Sequence, residues 1–303
     1  MSSDVLSEGH PARRALVPLA VVVTAGAQLV RLLAAQDSGA VVLPTSTFVI
    51  VALSVCLVWP VGQWFVLRRL LGDDPWSQAW ATLAVLAVGW YPWLTLTTLA
   101  PRDVVAVSFL PVAVGLFLDG RTRRGARRVV ELVAGPALAV AVAVVLSGVA
   151  SRAPGPATPE TPAQAAGEVL LGTALRLPPA WLGGALVVCG VVWLVLGRRW
   201  LVLPAVHVVL GVLYVLASSP WIPYLGYAAW TSLPPATVFV ACLGVSGSLL
   251  AGAGAASLLA LARGMRLGRW PMVLLAVVAL GMAVMSDTGL VAGLVSGVVA
   301  VTT

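Results

Sequence analysis

The sequence predicts an all-α protein, a polytopic bundle of transmembrane helices with nine or ten spans and a cytoplasmic N-terminus. Three observations predict this fold class. The 303 residues are 60% hydrophobic and 10% charged, whereas a soluble domain carries about 25% charged residues. Long apolar runs alternate with short polar turns along the whole chain. The 18 basic residues, all of them arginine, fall mostly in every second turn, as the positive-inside rule requires.

Nine segments have the length and apolarity of a membrane span, which takes about 17–25 residues. Because backbone groups in hydrocarbon must pair within the segment, each span is expected to be a helix. The predicted spans are 15–35, 44–67, 76–99, 103–118, 129–150, 180–197, 200–219, 234–262 and 270–286. The apolar stretch 288–303 is either a tenth span or a re-entrant segment.

The arginines set the predicted orientation. With the N-terminus inside, fourteen lie in cytoplasmic turns: Arg13, Arg14, Arg68, Arg69, Arg121, Arg123, Arg124, Arg127, Arg128, Arg198, Arg199, Arg263, Arg266 and Arg269. The outer loops hold Arg31, Arg102, Arg152 and Arg176. This asymmetry explains the net charge of +7 by topology and by anionic lipid head groups. The predicted partner is therefore the lipid bilayer and not nucleic acid, because no soluble domain organises the basic residues into a groove.

The predicted location is the cytoplasmic (inner) membrane of a bacterium, and the absence of lysine suggests a GC-rich genome. No cleavable signal peptide is predicted, because the first apolar stretch lacks a small-residue cleavage site. Cys56, Cys189 and Cys242 fall inside predicted spans without metal-ligand spacing, and we expect them to be buried apolar residues.

Composition divides the chain into four parts. Residues 1–14 form a disordered cytoplasmic tail, and 15–150 form a five-span N-terminal part. An extracytoplasmic linker rich in proline and alanine follows over 151–179, and such a composition favours an extended, flexible chain. A short helix over 168–178 is expected on the outer face, with Glu168 and Arg176 facing water. Residues 180–303 form a C-terminal part of four or five spans.

Small residues recur at four-residue intervals in two C-terminal segments. The eighth span carries Gly244, Ser248, Gly252 and Ala256, and the last apolar stretch carries the glycine zipper Gly289, Gly293 and Gly297. Small side chains at this spacing let helix backbones approach closely. The stripes predict helix packing, either within the chain or at an interface with another membrane subunit.

An aromatic loop stands between the seventh and eighth spans. Trp221, Tyr224, Tyr227 and Trp230 recur at three-residue intervals between prolines. Aromatic rings of this kind are favoured at the lipid–water boundary. The alternative interpretation is a substrate-binding platform for the isoprenoid or sugar part of a lipid-linked molecule.

Few ionisable residues stand where chemistry is expected. Asp37 and Asp103 lie at the predicted outer face, where either is a candidate general base, and Arg102 beside Asp103 is a candidate phosphate ligand. His207 falls within the seventh span, as a proton relay or as a partner of a carbonyl freed by Pro204. No carboxylate or histidine cluster has metal-ligand spacing, so no metal and no cofactor are predicted.

Several short motifs resemble a known group of proteins. They are Val58-Trp59-Pro60-Val61-Gly62 followed by Arg68-Arg69-Leu70-Leu71-Gly72, then Tyr91-Pro92-Trp93, Phe109-Leu110-Pro111, and the stretch 213–224 with Pro220, Trp221 and Tyr224. Over about 45–118 and 185–262 the chain resembles the membrane core of an uncharacterised family of large actinobacterial multi-pass proteins. That family is itself similar to the GT-C-type glycosyltransferases of the cell envelope, which use polyprenyl-phosphate-linked sugars.

The chain departs from this family where the chemistry resides. The resemblance implies an acidic catalytic loop before the Trp-Pro motif, yet this stretch offers only Asp37. Ile222, Pro223, Leu225 and Gly226 stand where the family has acidic and basic residues. A glycosyltransferase needs a base to activate its acceptor hydroxyl.

Three functions compete. The leading hypothesis is a non-catalytic accessory or scaffold subunit in cell-envelope glycan or lipid assembly, beside another membrane protein. The second is a glycosyltransferase acting on a polyprenyl-phosphate lipid at the outer face, and the third is a lipid or solute transporter. Paired outer carboxylates would favour the enzyme, intramembrane charges would favour the transporter, and neither would favour the scaffold.

Overall fold

The computed structural model describes residues 11–37, 39, 41–88, 100–150, 160–172, 180–219 and 236–264. Within these ranges the secondary structure is entirely helical. In chain order the helices are α1 (Pro11–Asp37), α2 (Thr45–Leu53), α3 (Trp59–Leu71), α4 (Pro75–Ala84), α5 (Pro101–Ser108), α6 (Leu110–Thr122), α7 (Ala126–Ala150), α8 (Pro162–Leu170), α9 (Trp181–Leu196), α10 (Val202–Ser218) and α11 (Ala236–Gly264).

Five helical segments in the described part are long and apolar enough to cross a membrane: Ala15–Asp37, Thr45–Leu71, Pro101–Thr122, Ala126–Leu146 and Ala236–Gly264. The shorter apolar helices α9 and α10 coincide with the predicted sixth and seventh spans. The third predicted span is described only through Val88. The predicted segments 270–286 and 288–303 lie outside the described residues, as does the glycine zipper, so the total of nine or ten spans stays a prediction.

Proline shapes two of the long segments. A π-helical turn, Ser54–Val58, joins α2 to α3 directly before Pro60. Because proline has no N–H and its ring crowds the carbonyl four residues earlier, a widened turn lets the helix continue past it. A second proline, Pro111, follows the junction of α5 and α6 at Phe109, where the Phe109 N–H donates to the Ala106 oxygen three residues earlier in a tight turn. Each pair of helices therefore forms one continuous helical segment.

The long helix α11 is the centre of the bundle, because 94% of its most apolar window is buried within the protein. It packs most extensively against α9 and also against α4, α10 and α3. Its closest crossing joins Gly254 to Gly190 of α9. A Cβ atom on Gly190 would overlap the Leu250 carbonyl oxygen, and one on Gly254 would overlap that of Leu186. Only glycine permits backbones to approach this closely.

The predicted small-residue stripe of the eighth span lies on this central helix. Gly244, Ser248, Gly252 and Ala256 are all buried in α11. A Cβ atom on Gly252 would lie 2.8 Å from Leu67 Cδ2 of α3 and 3.1 Å from the Ala81 oxygen of α4. Ser248 Oγ accepts a hydrogen bond from Gln63 Nε2 of α3 at 2.6 Å. The stripe thus packs within this chain against the α3–α4 hairpin.

The described arginines are divided unequally between the two ends of the bundle. The turns after α3 and α6, the start of α7 and the end of α11 lie at one end, here called the arginine end, as ion pairs and close packing between them show. The turn after α9 lies at the same end, because the start of α9 packs against the residues just beyond the far end of α4. Arg68, Arg69, Arg121, Arg123, Arg124, Arg127, Arg128, Arg198, Arg199 and Arg263 lie there. Arg31 and Arg102 lie towards the opposite, arginine-poor end. Arg31 is not in a loop as the sequence suggested, because α1 continues to Asp37 and buries Arg31 to 5% exposure.

Two turns at the arginine end are tied by charge. Asp119 at the end of α6 is 1% exposed and forms ion pairs with Arg68, Arg69 and Arg123. Arg68 also stacks over Phe65, with its guanidinium carbon 4.3 Å from the ring centre. These contacts join α3 to α6, because the buried carboxylate of Asp119 binds arginines from the ends of both helices.

The ion pair between Asp74 and Arg263 gives an expected pH dependence. Asp74 caps α4 by accepting from Ser77 N at 3.2 Å, and Arg263 Nη1 of α11 donates to it at 2.6 Å. Burial opposes the charge, but the hydrogen bonds and the charge of Arg263 outweigh it, so the pKa of Asp74 lies below its ordinary value. A carboxylate with a lowered pKa stabilises the fold above its unfolded pKa of about 3.9.

We therefore expect the pair to contribute constant stability above about pH 5 and to lose it as the pH falls through the lowered pKa of Asp74. The effect should be modest, because both side chains are partly exposed and solvent screens them. Thermal unfolding in detergent from pH 7 to pH 3 measures it. Asp74→Asn should flatten the acidic limb of the curve, and an unchanged limb would contradict the assignment.

Candidate functional site at the arginine-poor end

Two buried glutamates meet at one tyrosine near the end of α10. Tyr214 Oη lies 2.8 Å from Glu168 Oε2 and 3.1 Å from Glu160 Oε2. The exposed fractions are 0% for Tyr214, 3% for Glu160 and 7% for Glu168. We call Glu160, Glu168 and Tyr214 the carboxylate–tyrosine cluster. It lies at the end of the bundle that the arginine pattern predicts to face outward.

The sequence folds locally to bring this cluster together. Thr161 begins α8 by accepting a hydrogen bond from Gln164 N at 3.2 Å, and Pro162 fits the first helical position. Glu160, just before this cap, donates its backbone N–H to the Ser218 oxygen at 3.0 Å. One end of α8 is thus fixed to the end of α10, while Glu168 in its last turn meets Tyr214.

Close packing fixes the other end of α8. A Cβ atom on Gly211 of α10 would lie 3.0 Å from Val169 Cγ1, so glycine makes room for this side chain. At the start of α9, a Cβ atom on Gly184 would lie 2.6 Å from the Leu170 oxygen. The short helix therefore packs against both α9 and α10.

This geometry corrects two expectations. A helix was expected over 168–178, but the described residues have one over Pro162–Leu170 that ends in a turn at 171–172, inside the stretch taken for a flexible linker; residues 173–178 lie outside the described ranges. Glu168 was expected to face water, yet it is buried and also lies 3.5 Å from Gln164 Nε2. The proline-rich composition hid an amphipathic pattern in which Ala165, Glu168 and Val169 share one helix face.

The cluster has the chemistry of a proton-accepting or cation-binding site. A tyrosine hydroxyl has one hydrogen and donates to one carboxylate at a time. Each of the three residues also has at least one further interaction. Burying a carboxyl group is costly, and buried ionisable groups in membrane proteins are functional candidates for that reason. No group of three or more histidine, cysteine, aspartate or glutamate residues suited to a metal ion occurs in the described ranges.

The candidate residues named from the sequence lie elsewhere. Asp37 is exposed at the end of α1. Asp103 is 2% exposed in the first turn of α5, where its Oδ1 lies 3.3 Å from Nε of Arg102. Among the described side chains no ion pair joins Asp37 to either of these residues. The aromatic residues Trp221, Tyr224, Tyr227 and Trp230 lie outside the described residues, so their role in substrate binding stays a prediction.

His207 lies in the core between α10 and α11, 6% exposed. Its Nδ1 is 2.8 Å from Ser246 Oγ, so a hydroxyl of the facing helix is a partner where the sequence suggested a carbonyl. Ser246 Oγ in turn lies 3.3 Å from the Cys242 oxygen of its own helix. This arrangement joins two helices through a buried polar contact.

The described part of the chain is all-helical, and five of its helical segments are long and apolar enough to cross a membrane, which is compatible with an integral membrane protein. Comparison with known proteins adds no finer assignment, since no protein family, no curated protein and no solved structure matches the chain.

Proposed function

We propose that the protein is a non-catalytic membrane subunit that supports cell-envelope glycan or lipid assembly beside a larger membrane partner. The observation that carries this proposal is that buried polar side chains form hydrogen bonds between helices. Gln63 bonds to Ser248, and His207 contacts Ser246. Both contacts join α11 to a neighbouring helix, and interhelical hydrogen bonds of this kind stabilise membrane bundles.

The helices that surround this core offer surface to a partner. Only 28% of the most apolar window of α1 and 22% of that of α7 are buried within the chain. The exposed side chains there include Leu19, Val22, Val133 and Val144. Lipid covers such surfaces by default, and a second membrane protein of matching shape would compete with it. The envelope setting rests on the resemblance to GT-C-type relatives.

Purification of the tagged protein from its own membranes in mild detergent, with mass spectrometry of bound proteins and lipids, tests the proposal. A stoichiometric polytopic partner is the expected result. A monomer without a stable partner would overturn the accessory role. A monomer that carries a polyprenyl-phosphate lipid would in addition favour the second candidate.

The second candidate is a transferase acting on a polyprenyl-phosphate-linked sugar at the outer face. The carboxylate–tyrosine cluster favours it, because paired carboxylates at the outer end were expected of the enzyme. Both carboxylates are buried against Tyr214, which also suits a structural contact between α8 and α10, and the accessory role therefore stays the first candidate. In the transferase Glu160 or Glu168 would accept the proton of the acceptor hydroxyl, with Tyr214 orienting the carboxylate. General base catalysis of this kind contributes about 10²–10⁴-fold to a rate.

Glu168→Gln and Tyr214→Phe separate the two candidates. If the cluster is catalytic, Glu168→Gln should lower sugar transfer in membrane vesicles by about 100-fold or more while the purified protein keeps its elution profile. If the cluster only docks α8, both variants should lower the unfolding temperature without a specific effect on transfer. Glu131→Gln is the matched control, because Glu131 is also 7% exposed and pairs with Arg127 at the arginine end.

A further inference from the structure

The turn between α9 and α10 has an unusual backbone. Arg198 and Trp200 have φ values of 48° and 52°, in the left-handed region that residues other than glycine seldom adopt. The turn is held by hydrogen bonds from Gly197 N to the Trp193 oxygen at 3.0 Å and from Arg199 N to the Leu194 oxygen at 3.1 Å. The bonds from Arg198 N to the Val195 oxygen and from Arg199 N to the Leu194 oxygen form a Schellman cap that ends α9, and this cap places both arginines just beyond the helix.

A cavity of about 300 Å³ opens beside this turn. Trp193, Leu194, Gly197 and Arg199 line it. Arg198 and Arg199 are exposed, and neither forms an ion pair with a carboxylate in the part of the chain that the structure describes. Elsewhere at the arginine end, Asp119 compensates Arg68, Arg69 and Arg123. The cavity therefore has a positive wall that lacks a described negative partner.

Apolar surface continues from the cavity along both helices. Leu196 is 79% exposed and Val202 is 73% exposed, and Val192 and Val195 on α9 are about half exposed. A ligand at this position would place a charged group against the arginines and an apolar chain along these side chains. Arginine and tryptophan at a membrane boundary are also the residues that accommodate head groups.

We propose that this cavity binds the phosphate head group of an anionic membrane lipid, with an acyl chain along the exposed face of α9. The guanidinium of Arg199 donates to the phosphate oxygens, a geometry that suits paired hydrogen bonds. Arg198 adds charge at the rim, and the ring of Trp193 forms the apolar wall. The chemistry recognised is a phosphate ester, and the apolar flank selects a lipid over a free phosphate.

The test uses the full-length protein in neutral detergent, with dioleoyl phosphatidylglycerol as the probe and dioleoyl phosphatidylcholine as the zwitterionic control. The expected result is a rise in unfolding temperature that saturates with phosphatidylglycerol and not with phosphatidylcholine. In Arg198→Gln/Arg199→Gln the apparent affinity should fall about tenfold, since charge-assisted hydrogen bonds are lost. Arg199→Lys, which keeps the charge but not the paired donors, should show an intermediate loss.

Arg128→Gln is the matched control, because Arg128 is exposed at the same end and lies in α7. It should bind phosphatidylglycerol as the unmodified protein does. An equal loss in Arg128→Gln would show that total charge determines binding, and this would overturn the proposal. Unchanged binding in the double variant, or equal stabilisation by inorganic phosphate or glycerol phosphate, would overturn it as well.

Discussion

Gly190→Ala and Gly254→Ala are each expected to destabilise the bundle strongly, despite adding a single methyl group. The added carbon would overlap a backbone carbonyl of the facing helix, Leu250 for Gly190 and Leu186 for Gly254. Overpacking in a core typically costs about 1–3 kcal/mol. A carbonyl cannot rotate away as a side chain can, so the helices must separate, and the cost should reach the upper part of this range.

The same substitution also brings a gain in helix propensity, and the expected loss of stability outweighs it. Alanine is a better helix former than glycine by about 1 kcal/mol, so a methyl group with free space around it should be neutral or stabilising. Gly26 in α1 provides that control, since a Cβ atom there would meet nothing within 4 Å. Unfolding by heat in detergent measures all three variants. If Gly190→Ala were as stable as Gly26→Ala, the close crossing of α9 and α11 would be wrong.

The packing at this crossing could be predicted from the sequence only in part. The stripe of Gly244, Ser248, Gly252 and Ala256 was visible because its members repeat every four residues. Gly254 stands outside that stripe, and Gly190 lies in an apolar span with no comparable repeat. The closest contact depends on two glycines from distant segments facing each other, and local spacing carries no information on such pairing.

The long apolar helices were predictable because each one coincides with a long apolar run in the sequence. A run of about 20 apolar residues has few alternatives in a bilayer, and the turns with arginine mark alternate ends. The start of the short helix α8 was missed because it lies in a stretch with the composition of a linker, although Thr161 as N-cap and Pro162 at the first position are a local start signal.

The carboxylate–tyrosine cluster could not be predicted for a related reason. Glu160 and Glu168 are separated from Tyr214 by 54 and 46 residues, and neither glutamate belongs to a recognisable motif. Asp37 and Asp103 were predicted as candidate bases because they lie in predicted outer turns. An amphipathic reading of 162–170, with Glu168 on the same face as Ala165, was the one local signal that could have indicated burial.

Asp119→Asn is expected to give the largest effect of any single charge removal in the described part of the chain. The change keeps the side-chain shape but leaves Arg68, Arg69 and Arg123 facing one another around a site that is 1% exposed. Breaking a buried ion pair costs about 3–5 kcal/mol. The three arginines are 28–42% exposed, so solvent compensates in part and about 2–3 kcal/mol is expected.

Salt should distinguish this electrostatic loss from a packing defect. Added salt screens the repulsion among the exposed parts of the arginines, so the difference in unfolding temperature between Asp119→Asn and the unmodified protein should shrink as ionic strength rises. Asp73→Asn is the control, because Asp73 is exposed at the neighbouring turn. This variant should leave the unfolding temperature unchanged at every salt concentration. A large loss that salt does not reduce would mean that Asp119 acts through the shape of its hydrogen bonds. In that case the arginine end would be held by geometry and not by charge.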